Sequence, residues 1–276
     1  MSLDIEQVLK TLPTMTKEVE SLLDTLKQDF VEPKILEGKL VACPVIAGRV
    51  LQISNSSFYG LSREISSLRE ATIILGQHTL KSLIYSLAAM DEFKGSKDNN
   101  VLDYTLIWQH SLYSACLART IADYKKLNAS DIFTAALFQH FGILILENIE
   151  QEKISQAITL SKAQNASFKK TIFHITKLNY INLSAEALNY WHFPVSVCEL
   201  IHSLKKEKID PERSTETKIL QLSNFITSAF LKSPLSIDNN PIDKEILDIV
   251  ESEADFIRLL EQTDILYAQM ASNFIG

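Results

Sequence analysis

The chain has 276 residues, of which 46% are hydrophobic and 22% charged, with a formal net charge of −7. A chain of this length buries roughly 75% of the surface its unfolded form exposes, so it can hold a core without a disulfide or a structural metal. The acidic balance excludes general nucleic-acid binding, which requires a basic footprint. Cys43, Cys116 and Cys198 are too far apart to form a paired redox or zinc motif.

The opening "MSLDIEQVLKTL" lacks a basic stretch followed by an apolar run, so it is not expected to act as a signal peptide. The three cysteines lie among apolar residues, which predicts reduced, partly buried thiols and a cytoplasmic location. Helical spacing dominates and strand-like alternation is scarce, so the expected fold class is all-α. Residues 4–94 read as several short helices punctuated by Pro33 and Pro44. "CPVIAGRVLQIS" places Ile46, Val50 and Leu51 on one helical stripe. "NSSFYG" ends that helix, with Asn55 and Ser56 able to bond nearby backbone and Gly60 suited to a left-handed turn. "SSLREATIILG" predicts another helix with Gly76 at its C-terminal cap, and "HTLKSLIYSLAAM" begins the next.

"FKGSKDNN", from Phe93 to Asn100, is polar and turn-rich and is expected to separate an N-terminal lobe from a central one. In the helix that follows, Leu106, His110, Tyr113, Leu117 and Ile121 share one face, with Gln109, Arg119, Asp123 and Lys126 turned away. Ser130 is the expected N-cap of the next helix, with Asp131 at its positive end. "ALFQHFGILIL", Ala136 to Leu146, reads as one apolar helix with Gln139 and His140 in its middle. The richest apolar run, Ile132 to Leu146, is shorter than the ~18 residues of a membrane span, so none is expected. "SAEALNYWHFPVSVCELI" reads as helix, turn, helix, with Pro194 at the first position of the second. "KKEKIDPERSTE" is a solvated connection. From Thr217 onward two or three helices flank "SPLSIDNNPID".

The stretch "VLQISNSSFYGLSREISSLREATIILG" resembles the bacterial HDOD domain, a relative of the HD and HD-GYP phosphohydrolases. Leu51, Asn55, Ser56, Phe58, Tyr59, Gly60, Ile65, Ser67, Leu68, Ala71, Leu75 and Gly76 carry the likeness. It continues through "WQHSLYSACLA", "AALFQHFGILIL" and "SAEALNYWHFP" and covers about residues 10–205. The resemblance implies a multi-helix HD-like fold, with an N-terminal lobe at about 10–94 and an HD-like lobe at about 101–205. Residues 206–276 would be a helical extension packed on the HD-like lobe. It also implies a bacterial signalling or regulatory role exercised through protein contacts.

HD phosphohydrolases hold metal with a His, an adjacent His-Asp pair and a distant Asp. Such a metal lowers the pKa of bound water from ~15.7 to ~7, an effect on the order of 12 kcal/mol. The resemblance matches the first His to His110. Aligned on Gly142, the His-Asp pair becomes Gln139 and His140, and no aspartate occurs between Asp131 and Asp210. A one-residue slip would make His140 the ligand but put Phe141 where the Asp is needed. The paired histidines that often follow W-x-x-P are replaced by Leu204 and Lys205. The chain also lacks a Gly-rich phosphate loop, a Cys-x-x-Cys and a nucleophile elbow. His174, His192 and His202 are isolated and read as structural. The chain is therefore expected not to be an enzyme, with no cofactor, no metal site and His110, Gln139 and His140 forming a vestigial pocket.

Phe58 and Tyr59 can pack inward and pin their turn. Arg49, Arg63 and Arg69 lie around "NSSFYGLSR", as solvated charges or as a small basic face. With Asn55, Ser56, Phe58 and Tyr59, Arg63 and Arg69 make a candidate interaction surface. The expected partners are signalling or regulatory proteins; the alternative readings are a divergent phosphodiesterase and a non-hydrolysing sensor of a nucleotide messenger.

Overall fold

The computed structural model describes residues 5–10, 12, 15–28, 30–56, 63–93, 101–164, 166–204, 214–231 and 249–274. Among them the regular elements are all helices: α1 (Ile5–Leu9), α2 (Lys17–Thr25), α3 (Pro33–Val41), α4 (Pro44–Ser54), α5 (Leu68–Phe93), α6 (Tyr104–Tyr124), α7 (Ala129–Phe138), α8 (Phe141–Gln164), α9 (Phe168–Thr176), α10 (Tyr180–Tyr190), α11 (Val195–Ser203), α12 (Thr215–Phe230) and α13 (Glu253–Phe274). The all-α fold class is thus observed. Phe58, Tyr59 and Gly60 lie outside the described residues, as do most of "FKGSKDNN", "KKEKIDPERSTE" and "SPLSIDNNPID".

The chain forms two compact units. One comprises residues 1–12 and 97–265, the other residues 13–96 and 266–276. The long α13 is shared between them, with Ile265 the last residue of the first unit and Leu266 belonging to the second.

In the unit built from residues 13–96, α5 packs on α3 and α4. Pro33 and Pro44 each open a helix, where a missing N–H costs nothing. Ile46 and Val50 are buried as the stripe predicts, while Leu51 is half-buried. Gly76 stands at φ 71°, ψ 158°, between the two helical segments of α5. That backbone region is open essentially to glycine alone, so the predicted helix end at Gly76 is a kink after which the chain resumes helix at once. The next residue secures the kink: Gln77 Oε1 accepts from Val31 N at 3.0 Å, and its amide donates to the carbonyls of Leu26 and Gln28.

In the other unit, α6 packs on α7 and α12, and α10 packs on α8 and α11. Asp103 caps α6 by accepting from Leu106 N at 3.0 Å. The single apolar face expected for α6 is too narrow a description: from Ile107 to Ala122 nearly every residue is buried. Even Arg119 is largely covered and reaches Asp123 at 3.3 Å. A central helix contacted on most sides needs no polar stripe.

Two helix starts differ from expectation. Asn128 occupies the N-cap position of α7 without a side-chain capping bond, so Ser130 lies inside the helix and Asp131 in its first turn. Asp131 accepts from Ser196 Oγ at 2.7 Å, which ties α7 to α11. Pro194 is the N-cap of α11, one residue before its expected position.

"ALFQHFGILIL" is not one helix. α7 ends at Phe138, Gln139 and His140 form a turn, and α8 begins at Phe141. By length and composition, the described run Ala129–Gln164 could cross a membrane, unlike the shorter run weighed from sequence. Its most apolar window is 94% buried inside the protein, and a core helix passes the same test.

Candidate functional site

The α7–α8 turn exists because Gly142 lets two backbones meet. A Cβ at Gly142 would lie 2.0 Å from the carbonyl oxygen of Tyr180. Only glycine therefore fits where α8 crosses the start of α10. Ser184 completes the junction. Its Oγ accepts from Gly142 N at 2.7 Å and lies 3.1 Å from Gln139 O and 3.0 Å from Tyr180 O. Its single proton is shared between those carbonyls.

The junction sets Gln139 and His140 against α6 and α12. His110, Gln139 and His140 are each 0% exposed. The rings of His110 and His140 meet edge-on, with centroids 5.0 Å apart and planes at 74°. The Tyr180 ring is also near His140, with centroids 5.8 Å apart and planes at 34°. Gln139 Nε2 donates to Ser114 Oγ at 3.1 Å. The structure thus brings together the three residues assigned to a vestigial pocket.

It adds two residues that sequence reasoning missed. His110 Nε2 bonds Ser228 Oγ at 3.0 Å, and His140 Nε2 bonds Asn224 Nδ2 at 2.6 Å. Both partners are on α12, one helical turn apart. Their i, i+4 spacing, which puts both on one face of α12, was the available signal. Ser228 Oγ also donates to Asn224 O at 2.8 Å.

Both imidazoles of the site are held in their neutral form, beside the buried Lys169. Burial pushes the His110 imidazole down to about 3. Burial, then the neighbouring His110 ring and the Lys169 ammonium, hold His140 well below the usual imidazole range. Burial also raises the Tyr180 phenol. Four polar atoms of the cluster have no hydrogen-bond partner among the described residues: His110 Nδ1, His140 Nδ1, Gln139 Oε1 and Tyr180 Oη. Leaving such an atom unsatisfied costs about 1–3 kcal/mol.

The donor set fits poorly with a hydrolytic metal centre. Those centres draw on imidazole and carboxylate together. Here the groups bonded to the two imidazoles and to the Gln139 amide are serine hydroxyls and an asparagine amide. Among the described residues, no three His, Cys, Asp or Glu side chains gather as a metal would need.

The candidate interaction surface lies in the other unit, and its described residues, Asn55, Ser56, Arg63 and Arg69, have internal partners. Asn55 clamps Ile65 twice: its Oδ1 accepts from Ile65 N at 2.6 Å and its Nδ2 donates to Ile65 O at 2.8 Å. Ser56 Oγ donates to Ile53 O at 2.6 Å and touches Met270 Sδ at 3.9 Å. Arg63 makes a two-pronged pair with Glu70, and Arg69 pairs with Glu37 at 2.9 Å. The basic face read from sequence is therefore interleaved with carboxylates.

A family model of the HDOD domain matches residues 12–206. No curated protein matches the chain. Among solved structures, it is similar to an HDOD domain protein of unknown function from Geobacter sulfurreducens. The identity is 21%, covering 99% of this chain and 100% of that one, with a TM-score of 0.70. It is also similar to a protein from Marinobacter aquaeolei VT8 provisionally described as a signal transduction protein. That match has 17% identity and a TM-score of 0.69, and covers 100% of this chain and 62% of that one. A third, provisionally described as a phosphohydrolase, is from Shewanella amazonensis SB2B. It has 18% identity, coverage of 96% and 98%, and a TM-score of 0.66. At these identities the structural likeness speaks for the fold alone.

Proposed function

As the chain belongs to the HDOD domain family, we propose that it is a non-catalytic, cytoplasmic regulatory protein of bacterial signal transduction that works through protein contacts. Membership of the HDOD family supports the regulatory role. The observation that carries the non-catalytic reading is the pairing of His110 with Ser228 and of His140 with Asn224. Both imidazoles spend their Nε2 atoms on neutral side chains from α12. The centre acts as a polar core that fixes how α6, the α7–α8 turn and α12 fit together. Buried polar groups of this kind hold register when each finds its partner.

The work falls to surfaces, and the partners are signalling or regulatory proteins. The decisive assay is phosphodiester hydrolysis by the purified chain, using linear and cyclic dinucleotides with Mn²⁺, Mg²⁺ or Fe²⁺ supplied. The expected result is no turnover above the metal-only control. Turnover that disappears in His110→Ala would overturn the proposal in favour of a divergent phosphodiesterase. Dinucleotide binding without turnover, seen by calorimetry, would replace it with a messenger sensor.

A further inference from the structure

We infer that the His110–His140 pair is a binding site for one internal water molecule, held between an imidazole acceptor and an imidazole donor. The inference rests on the neutral-core reading above and extends it to the ligand of that core.

The hydrogen bonds assign the tautomers. A serine hydroxyl has one proton, and Ser228 Oγ donates its proton to Asn224 O at 2.8 Å. Toward His110 it must accept, so the hydrogen of the His110 ring is on Nε2, 3.0 Å away. Neutral His110 is left with a bare lone pair on Nδ1. On the other ring the roles reverse. Asn224 Nδ2 donates to His140 Nε2 at 2.6 Å, so neutral His140 keeps its hydrogen on Nδ1.

The two rings, 5.0 Å apart between centroids, therefore offer one unsatisfied acceptor and one unsatisfied donor. Gln139 Oε1 and Tyr180 Oη, buried in the same cluster, also lack a partner among the described residues. All four side chains are no more than 1% exposed. A buried water needs two to four polar partners, and it both donates and accepts. A phosphate would meet lone pairs at His110 Nδ1 and Gln139 Oε1. A metal ion on both rings would require His140 Nδ1 to lose its hydrogen.

The test is made on the 276-residue chain, labelled with ¹⁵N, with the metal content of the same sample measured. Long-range ¹⁵N–¹H correlation reads the tautomer of each ring, and a rotating-frame Overhauser spectrum reads contact between the His140 Nδ1 hydrogen and a long-lived water. The expected result is Nε2–H on His110, Nδ1–H on His140 and a water cross-peak to the latter. A reversed tautomer on either ring, or no water contact, in a metal-free sample would overturn this inference and leave the neutral-core reading standing. Metal near one equivalent per chain, with ring shifts of coordinated imidazole, would overturn both.

Discussion

His110 and His140, thirty residues apart in sequence, stand edge to face at 5.0 Å, each bonded through Nε2 to α12. Two adjacent buried imidazoles that stay neutral give stability a definite pH dependence. In the unfolded chain each takes up a proton near 6.5; in the folded chain His110 resists until about 3 and His140 is also strongly depressed. Their stabilisation is complete above about 6.5 and is lost as pH falls towards the folded values, because the unfolded state binds more protons there. Each ring contributes up to about 1.4 kcal/mol per pH unit. Urea unfolding at pH 7.5, 6.5, 5.5 and 5.0 should show a constant stability above 6.5 and a decline below it. A flat profile from 6.5 to 5.0 would contradict the burial of neutral rings.

The Asn224–His140 bond supplies a sharper mutational test. Asn224→Leu removes one partner and leaves His140 Nε2 buried without a donor, which should cost about 1–3 kcal/mol. Adding His140→Leu removes the polar demand as well and should recover part of that loss. The double variant should also lose about half of the pH slope below 6.5. Equal and additive losses in the two single variants would mean that the pair is not coupled.

Gly142 is the steric keystone of the turn. In Gly142→Ala the new methyl meets the Tyr180 carbonyl, a rigid backbone atom, at 2.0 Å. The expected loss is about 3 kcal/mol or more, above the ordinary range for overpacking. Gly38 and Gly48 have nothing within 4 Å of a Cβ, so alanine there should be neutral or stabilising. Thermal melts of the three variants decide the matter.

In the unit containing residues 13–96, backbone clamping and surface charge should separate cleanly. Asn55→Ala leaves both the N–H and the carbonyl of Ile65 without their partner and should cost about 1–3 kcal/mol. Arg69→Ala breaks an exposed pair with Glu37 and should change stability by less than about 1 kcal/mol. If Arg69→Ala nevertheless abolishes capture of a signalling partner from lysate, that arginine acts in docking and not in folding.

Much of this was legible in the chain. Helical periodicity established the fold class; that Gln139 and His140 stand in for a His-Asp pair is what the resemblance implies when aligned on Gly142. Asn55 was readable as a residue that bonds backbone, though not that its partner is Ile65, ten residues on. The turn at Gln139–His140 escaped notice because it is buried: apolar residues on both sides masked a helix break whose cause is the Gly142–Tyr180 crossing. Ser228 and Asn224 could not be assigned, since they lie 118 residues from His110 and 84 from His140. Only the packing of α12 on α6 reveals which polar residues meet.

The central claim is that the centre is a neutral hydrogen-bonded core. Metal content tests it most directly: the 276-residue chain is incubated with Mn²⁺, Fe²⁺ and Zn²⁺, freed of excess, and measured by elemental analysis beside His110→Ala and His140→Ala. The account predicts well under one equivalent on the native chain, and no difference between it and the variants. One equivalent per chain on the native protein, lost in both variants, would contradict it.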